Sequence, residues 1–127
     1  MANQPVFATT PRIGLGQVSS ANTNRDGSGT IATILTGGAS GTRINEIVVE
    51  GTTTTTAGMV RIYLNDGTNT RLFDEFVVVA VTASASTPVY RGSKVYENLT
   101  LPSNSWSIRA STHNAETFNV VVLGADL

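Results

Sequence analysis

At 127 residues and 13.3 kDa the chain is sized for one domain that buries about two-thirds of its extended surface, enough for an independent core. A formal net charge of −1 with only 13% charged residues supplies no general attraction for nucleic acid or anionic lipid, and the absence of cysteine excludes a disulfide framework or thiolate metal site. Hydrophobic residues are an ordinary 40%, so the polar surface must come from Thr, Ser and Asn, whose hydroxyls and amides can pair again across an interface.

The opening MANQPVFATTPR is polar and carries Pro5 and Pro11. It reads as an extended arm over residues 1–10, ahead of one β domain over residues 11–127. The arm either caps its own domain or reaches a neighbour. It has no basic region followed by an apolar run, so a secretory signal is not expected, and no stretch approaches the roughly 20 apolar residues of a membrane helix.

Beyond the arm, β-type segments are separated by turn signals every ~8–12 residues, the pattern of a sandwich or barrel. Residues 12–19 (RIGLGQVS) place Ile13, Leu15 and Gln17 on one side. The stretch NTNRDGSG then breaks the pattern, and residues 30–35 (TIATIL) form the next segment. After the flexible GGASG comes TRINEIVVE over residues 42–50, whose apolar phase changes between Ile44 and Ile47; a bulge near Asn45 or Glu46 accounts for the change. GTTTTTAG leads to MVRIYL (residues 59–64), and NDGTN is the clearest hairpin loop in the chain. Its return strand is RLFDEFVVVAV (residues 71–81), followed by residues 89–101, 106–110 and 118–123 (FNVVVL). Apolar residues at helical spacing persist nowhere for three turns. The expectation is an all-β antiparallel sandwich of about eight strands, jelly-roll type favoured over other Greek-key connectivities. FVVVAV and FNVVVL are apolar on both phases, and so are either buried on both sides by loops or meet another subunit with one face.

Candidate chemistry is sparse. In NTNRDGSG, Asn22, Asn24, Asp26 and Gly27 imitate the first half of a calcium loop, but the twelfth position is Thr33, inside an expected strand, and Asp26 is the only carboxylate. A turn between strands is the better reading, and no metal or cofactor is expected. His113 is the only histidine, and Ser111 and Thr112 beside it have no glycine elbow, so it reads as a surface-loop residue. Glu46 and Glu50 share a strand phase about 13 Å apart and Asp74 and Glu75 point to opposite faces, so neither pair suits acid–base hydrolysis. Trp106, Tyr63, Tyr90 and Tyr96 suit either a sugar-binding platform or core packing. Seven arginines against the single Lys94 are spread singly along the chain, which fits protein interfaces better than a nucleic-acid patch.

The run SSANTNRDGSGTIATILTGGASGTRINEIVVEGTTTTTAGMVRIYLNDGT, with RASTHNAETFNVVVLGADL at the end, resembles a group of small proteins encoded in tailed-phage and prophage virion gene clusters. The likeness is one of overall pattern from about Thr10 to Leu127 and contains no catalytic motif. It implies a non-enzymatic virion structural protein, most plausibly a capsid decoration (cement) protein. Such a protein is made in the bacterial host cytoplasm and binds the major capsid protein at the surface of the assembled head. A homo-oligomer is implied, a trimer favoured, with no nucleic acid, membrane or small-molecule substrate as partner. A tail, baseplate or fibre module and a carbohydrate-binding sandwich are the alternatives. The expected contact residues are Gln4, Pro5, Val6 and Phe7 of the arm and Thr53, Thr54 and Thr55 of the Thr/Gly loop.

Overall fold

The computed structural model describes residues 8–127. Every segment expected to be a strand forms one: β1 (Thr10–Val18), β2 (Ala32–Thr36), β3 (Thr42–Gly51), β4 (Gly58–Asn65), β5 (Thr70–Val78), β6 (Arg91–Leu101), β7 (Ser107–Thr112) and β8 (Phe118–Asp126). No helix occurs among the described residues. Gln4, Pro5, Val6 and Phe7 lie outside them; Thr9 donates its backbone N–H to the Asp126 carbonyl and Thr10 opens β1.

The strands form two four-stranded antiparallel sheets, β1–β8–β3–β6 and β2–β7–β4–β5. The pairs β1 with β8, β2 with β7, β3 with β6 and β4 with β5 nest like one long hairpin, and β8–β3 and β7–β4 contacts close the rolled ribbon. That order is a jelly roll. The hairpin at its centre, β4–β5, turns where NDGTN predicts: Asn65 Oδ1 accepts from the Gly67 N–H at 2.8 Å, and Asp66 Oδ1 from the Thr68 and Asn69 N–H groups.

Three bulges set which side chains enter the core. In β3 the register against β8 slips between Ile44 and Glu46, leaving Asn45 as the extra residue; against β6 it slips at the same place, where Tyr96, Glu97 and Asn98 lie opposite Asn45. Ile44 and Ile47 therefore both point inward despite their odd spacing, and both are fully buried. Ile34 in β2 and Phe73 in β5 are extra residues of the same kind, and the sequence pattern did not mark either. The core is filled from both sheets by Ile44, Ile47, Val49, Val120 and Val122 on one side and Val60, Ile62, Phe76 and Ile108 on the other.

Some boundaries move. β5 ends at Val78 rather than Val81, because Val81 leaves the sheet to exchange two backbone hydrogen bonds with Thr55. β6 starts only at Arg91; Tyr90 is turned into the core, where its hydroxyl donates to the Val77 carbonyl. β7 excludes Trp106 but runs on to Thr112, so Ser111 and Thr112 are buried strand residues and not loop.

The two open sides of the sandwich are closed differently. At β1–β2, Gly14 and Gly16 face inward and let Ile34 and Leu35 press against the β1 backbone. At β5–β6, Lys94 Nζ donates to Asp74 Oδ1 at 2.8 Å and to the Glu75 carbonyl, while the Tyr96 hydroxyl donates to Asp74 Oδ2 at 2.7 Å. A carboxylate shared by an ammonium and a phenol thus joins one sheet to the other.

Candidate interaction surfaces

The outer face of the β2–β7–β4–β5 sheet is covered by the chain itself over β4 and β7, while Leu72 and Val77 of β5 remain exposed. Residues 19–31, which include NTNRDGSG, cross from β1 in one sheet to β2 in the other and lie over this face. NTNRDGSG does lie between two strands, as expected from sequence, but β1 and β2 belong to different sheets, so it is a crossing loop rather than a tight turn. Asn22 organises the loop: buried, it donates through Nδ2 to the Ser28 and Thr30 carbonyls, and its Oδ1 accepts from the Asn24 N–H. Asp26 is occupied by Ser28, whose backbone N–H it accepts at 3.0 Å. Gly27 has φ 88° and sits against the Thr70 backbone, where a Cβ would come within 2.3 Å of the Thr70 oxygen.

Beneath this loop Arg61 is only 1% exposed and Tyr63 wholly buried, although both point away from the core. The Tyr63 hydroxyl donates to the Asn24 carbonyl at 2.9 Å. Arg61 donates from Nε to Glu75 Oε2 at 2.9 Å, from Nη1 to the Asn22 carbonyl at 3.1 Å and from Nη2 to His113 Nδ1 at 3.1 Å. Arg25, from the covering loop, donates to the same Glu75 oxygen at 2.6 Å. Two guanidiniums on one carboxylate thus clamp the loop to the sheet. Because Arg61 can only donate, His113 Nδ1 accepts, and a neutral ring carries its proton on Nε2. His113 therefore faces a guanidinium, not a nucleophile or an acid. A cleft of about 440 Å³ opens beside it, lined by Thr23, Arg25, Met59, Arg61, Val77 and His113 among others.

The other expected sites separate. Glu46 and Glu50 lie on the outside of the β1–β8–β3–β6 sheet with Val48 between them, and Arg91 Nη1 donates to Glu50 at 2.9 Å. Asp74 belongs to the β5–β6 closure and Glu75 to the Arg61 clamp. Tyr63 is under the loop, Tyr90 is in the core edge-on to Phe118, and Tyr96 and Trp106 pack partly buried against the core, so the four aromatics share no platform. Thr53 and Thr54 are exposed, but Thr55 is buried and its hydroxyl donates to the Val79 carbonyl.

Five carboxyls are held below their ordinary range: Asp26 and Asp66 by hydrogen bonds within their own loops, and Glu75, Asp74 and Asp126 by contacts between elements. For Glu75 the hydrogen bond from Arg25 leads, with Arg61 adding to it against some desolvation. For Asp74 burial pulls upward, and the bonds from Lys94, Tyr96 and the Glu75 backbone N–H, with the charge of Lys94, together outweigh it. For Asp126 the Thr42 hydroxyl leads, followed by Arg12 after a smaller desolvation. A carboxyl depressed in the folded state stabilises it above the unfolded pKa, and that contribution disappears as pH falls through the folded pKa. The urea midpoint is therefore expected to hold from about pH 7 down to about pH 5 and to fall below about pH 4. In Glu75→Gln the fall should be shallower, and an equally steep fall in that variant would show that the clamp is not its source.

The outer face of the β1–β8–β3–β6 sheet is open, and cross-strand register orders it into four rows. Pro11, Ala125, Arg43 and Thr100 form the first; Ile13, Leu123, Glu46 and Val95 the second. Leu15, Val121, Val48 and Ser93 form the third; Gln17, Asn119, Glu50 and Arg91 the fourth. The middle rows are apolar across most of the sheet. Ile13, Leu15 and Val95 are 68%, 73% and 75% exposed, whereas Val48, flanked on both sides, is 6% exposed. β1 is thus inverted, with its glycines inside and its large apolar side chains outside. Single exposed hydrophobics need no explanation, but here they form a contiguous band across the sheet. FNVVVL contributes to it: Val120 and Val122 face the core, while Val121 and Leu123 face the band. In FVVVAV, Phe76 and Val78 likewise enter the core while Val77 and Val79 are exposed on the other sheet's side.

No protein-family model matches the chain, and no curated protein does. Among solved structures it is similar to a chain of the acidic stable capsid structure of Helicobacter pylori bacteriophage KHP30, at 14% identity and a TM-score of 0.54, covering 94% of this chain and 90% of that one. The two share a fold. A chain of the cyanophage Pam1 capsid asymmetric unit aligns at 16% identity with a TM-score of 0.48, covering 100% of this chain and 92% of that one.

Proposed function

We propose that this chain is a non-enzymatic structural component of a phage virion, and within the virion a capsid decoration protein that binds and stabilises the assembled head. The observation that carries the reading is the open apolar band on a jelly roll whose fold is shared with a chain of a phage capsid structure. A virion component needs a rigid module with an adhesive face repeated many times, so that individually weak contacts add through multivalency. The sequence-level resemblance to phage virion gene clusters points the same way. So do the residues that could have suggested chemistry, since His113, Glu75 and Asp74 are all engaged in holding the fold together.

In this reading the partner is the major capsid protein, the location is the capsid surface, and the protein, made in the bacterial host cytoplasm, attaches as a homo-oligomer with a trimer favoured. Gln4 to Phe7 of the arm and the exposed Thr53 and Thr54 are the proposed contacts with the shell. Co-sedimentation of the purified protein with heads stripped of it, followed by cryo-electron microscopy, tests the proposal. Saturable binding with ordered density on the shell is the expected result. Density confined to tail, baseplate or fibre would replace decoration with the tail-module reading, and no association with any part of the virion would remove both.

A further inference from the structure

We propose that the outer face of the β1–β8–β3–β6 sheet docks a second copy of this chain, sheet face against sheet face, about a two-fold axis lying across the strands. The inference stands apart from the virion reading, since it concerns the chain alone in solution.

The row order carries it. A two-fold axis across the strands between the two apolar rows keeps each strand over its own counterpart and exchanges rows end for end. Ile13 then meets the partner copy's Leu15 and Leu123 meets its Val121, while Glu46 lies over its Val48 and Val95 over its Ser93, so the apolar band closes on itself over β1 and β8. The polar rows exchange too, which brings Arg43 of each copy opposite Glu50 of the other. Arg43 is available for this: its guanidinium has no carboxylate partner among the described residues and donates from Nη2 to the Glu97 carbonyl. Turning the axis along the strands instead leaves Glu46 over an apolar residue as well, Leu123, and sets Arg43 over Ala125, with no charge pair formed. The face is therefore complementary to itself in one orientation, as a closed two-fold contact requires.

The extent of the contact sets its strength. Four strands about 4.8 Å apart and four rows about 7 Å apart give roughly 500 Å² per copy, or about 1,000 Å² in all, the lower end of specific interfaces. Pairing is accordingly expected at roughly 10–100 μM.

Analytical ultracentrifugation over a concentration series of the full chain tests this. An even-numbered species is expected, either a dimer or, if a three-fold contact also forms, a hexamer. Leu15→Glu on β1 and Val95→Glu on β6, both at exposed positions that the monomer fold does not use, should each halve the mass. Arg43→Glu or Glu50→Arg should weaken pairing about fivefold, and the double swap should restore it. A wild-type monomer at the highest concentration overturns the proposal and leaves the face to residues 1–7 or to the shell. A trimer, or a mass that neither glutamate variant changes, also overturns it. Unchanged mass with lost binding to purified heads assigns the face to the shell.

Discussion

Urea unfolding of Arg61→Ala is expected to show a stability about 3 kcal/mol below wild type, since removing one partner of a buried, hydrogen-bonded ion pair leaves the others stranded. Arg61 is the most buried charge described, and it holds three separate elements: Glu75 on β5, the Asn22 carbonyl in the covering loop and His113 after β7. Glu75 retains Arg25 and some solvent when Arg61 is lost, which keeps the cost at the lower end of the usual range. The Asn22 carbonyl has no such alternative, and burying it unpaired is what makes the loss large. Glu75→Ala should cost at least as much, because it leaves the Arg61 guanidinium buried with neutral acceptors and no counter-charge. Hydrogen exchange gives the structural readout: amides of residues 19–31 should lose protection in Arg61→Ala before those of β3 or β8. Unchanged protection of residues 19–31 in Arg61→Ala would mean that the ion pair matters and the loop clamp does not.

That clamp also shows where sequence pattern stops. Alternation and turn chemistry are local, and they were enough to place all eight strands, the NDGTN hairpin and the Asn45 bulge, whose phase change lies within four residues. The position of a loop over a sheet depends on sheet order, which is set by contacts between residues far apart in the chain. NTNRDGSG therefore looked like a turn, although Asn22 meets Arg61 and Gly27 meets Thr70. A signal was present: Arg61 shares its phase with Met59 and Tyr63, and an arginine between two large side chains on a nominally polar face suggests a covered one. β1 escaped for another reason. Alternation shows that Ile13 and Leu15 share a side, but not which side faces in, and hydrophobicity alone would have chosen wrongly. The glycines between them were the better guide, because only a strand approached closely by another backbone has use for two inward glycines. The outward apolar face was thus legible in RIGLGQV once those glycines are read as packing positions.

Gly14→Val brings the packing and the proposed contact together. A Cβ at Gly14 would stand 2.6 Å from the Ile34 carbonyl oxygen and 2.7 Å from the Leu35 Cβ, and two of the three nearest atoms belong to backbone that cannot rotate away. β1 must move off β2 to admit a valine, which costs about 3 kcal/mol as overpacking with backbone displacement. β1 is an edge strand held to the rest of its sheet by β8 alone, so the displacement should appear there first. Amide exchange along β1 should rise sharply in Gly14→Val while β4 and β7 remain protected. Ile13 and Leu15 move with the strand, so self-association should fall together with stability, although neither residue has been changed. Gly124→Ala supplies the contrast: its Cβ would meet the Arg43 carbonyl at 2.2 Å, so it strains the β8–β3 pairing at the centre of the sheet. It should lower global stability without loosening β1 selectively. If Gly14→Val unfolds the whole chain in one step with β1 no more labile than β4, then β1 is an integral part of the core. If it folds with wild-type stability, the close β1–β2 approach that puts Ile13 and Leu15 on the outside is wrong.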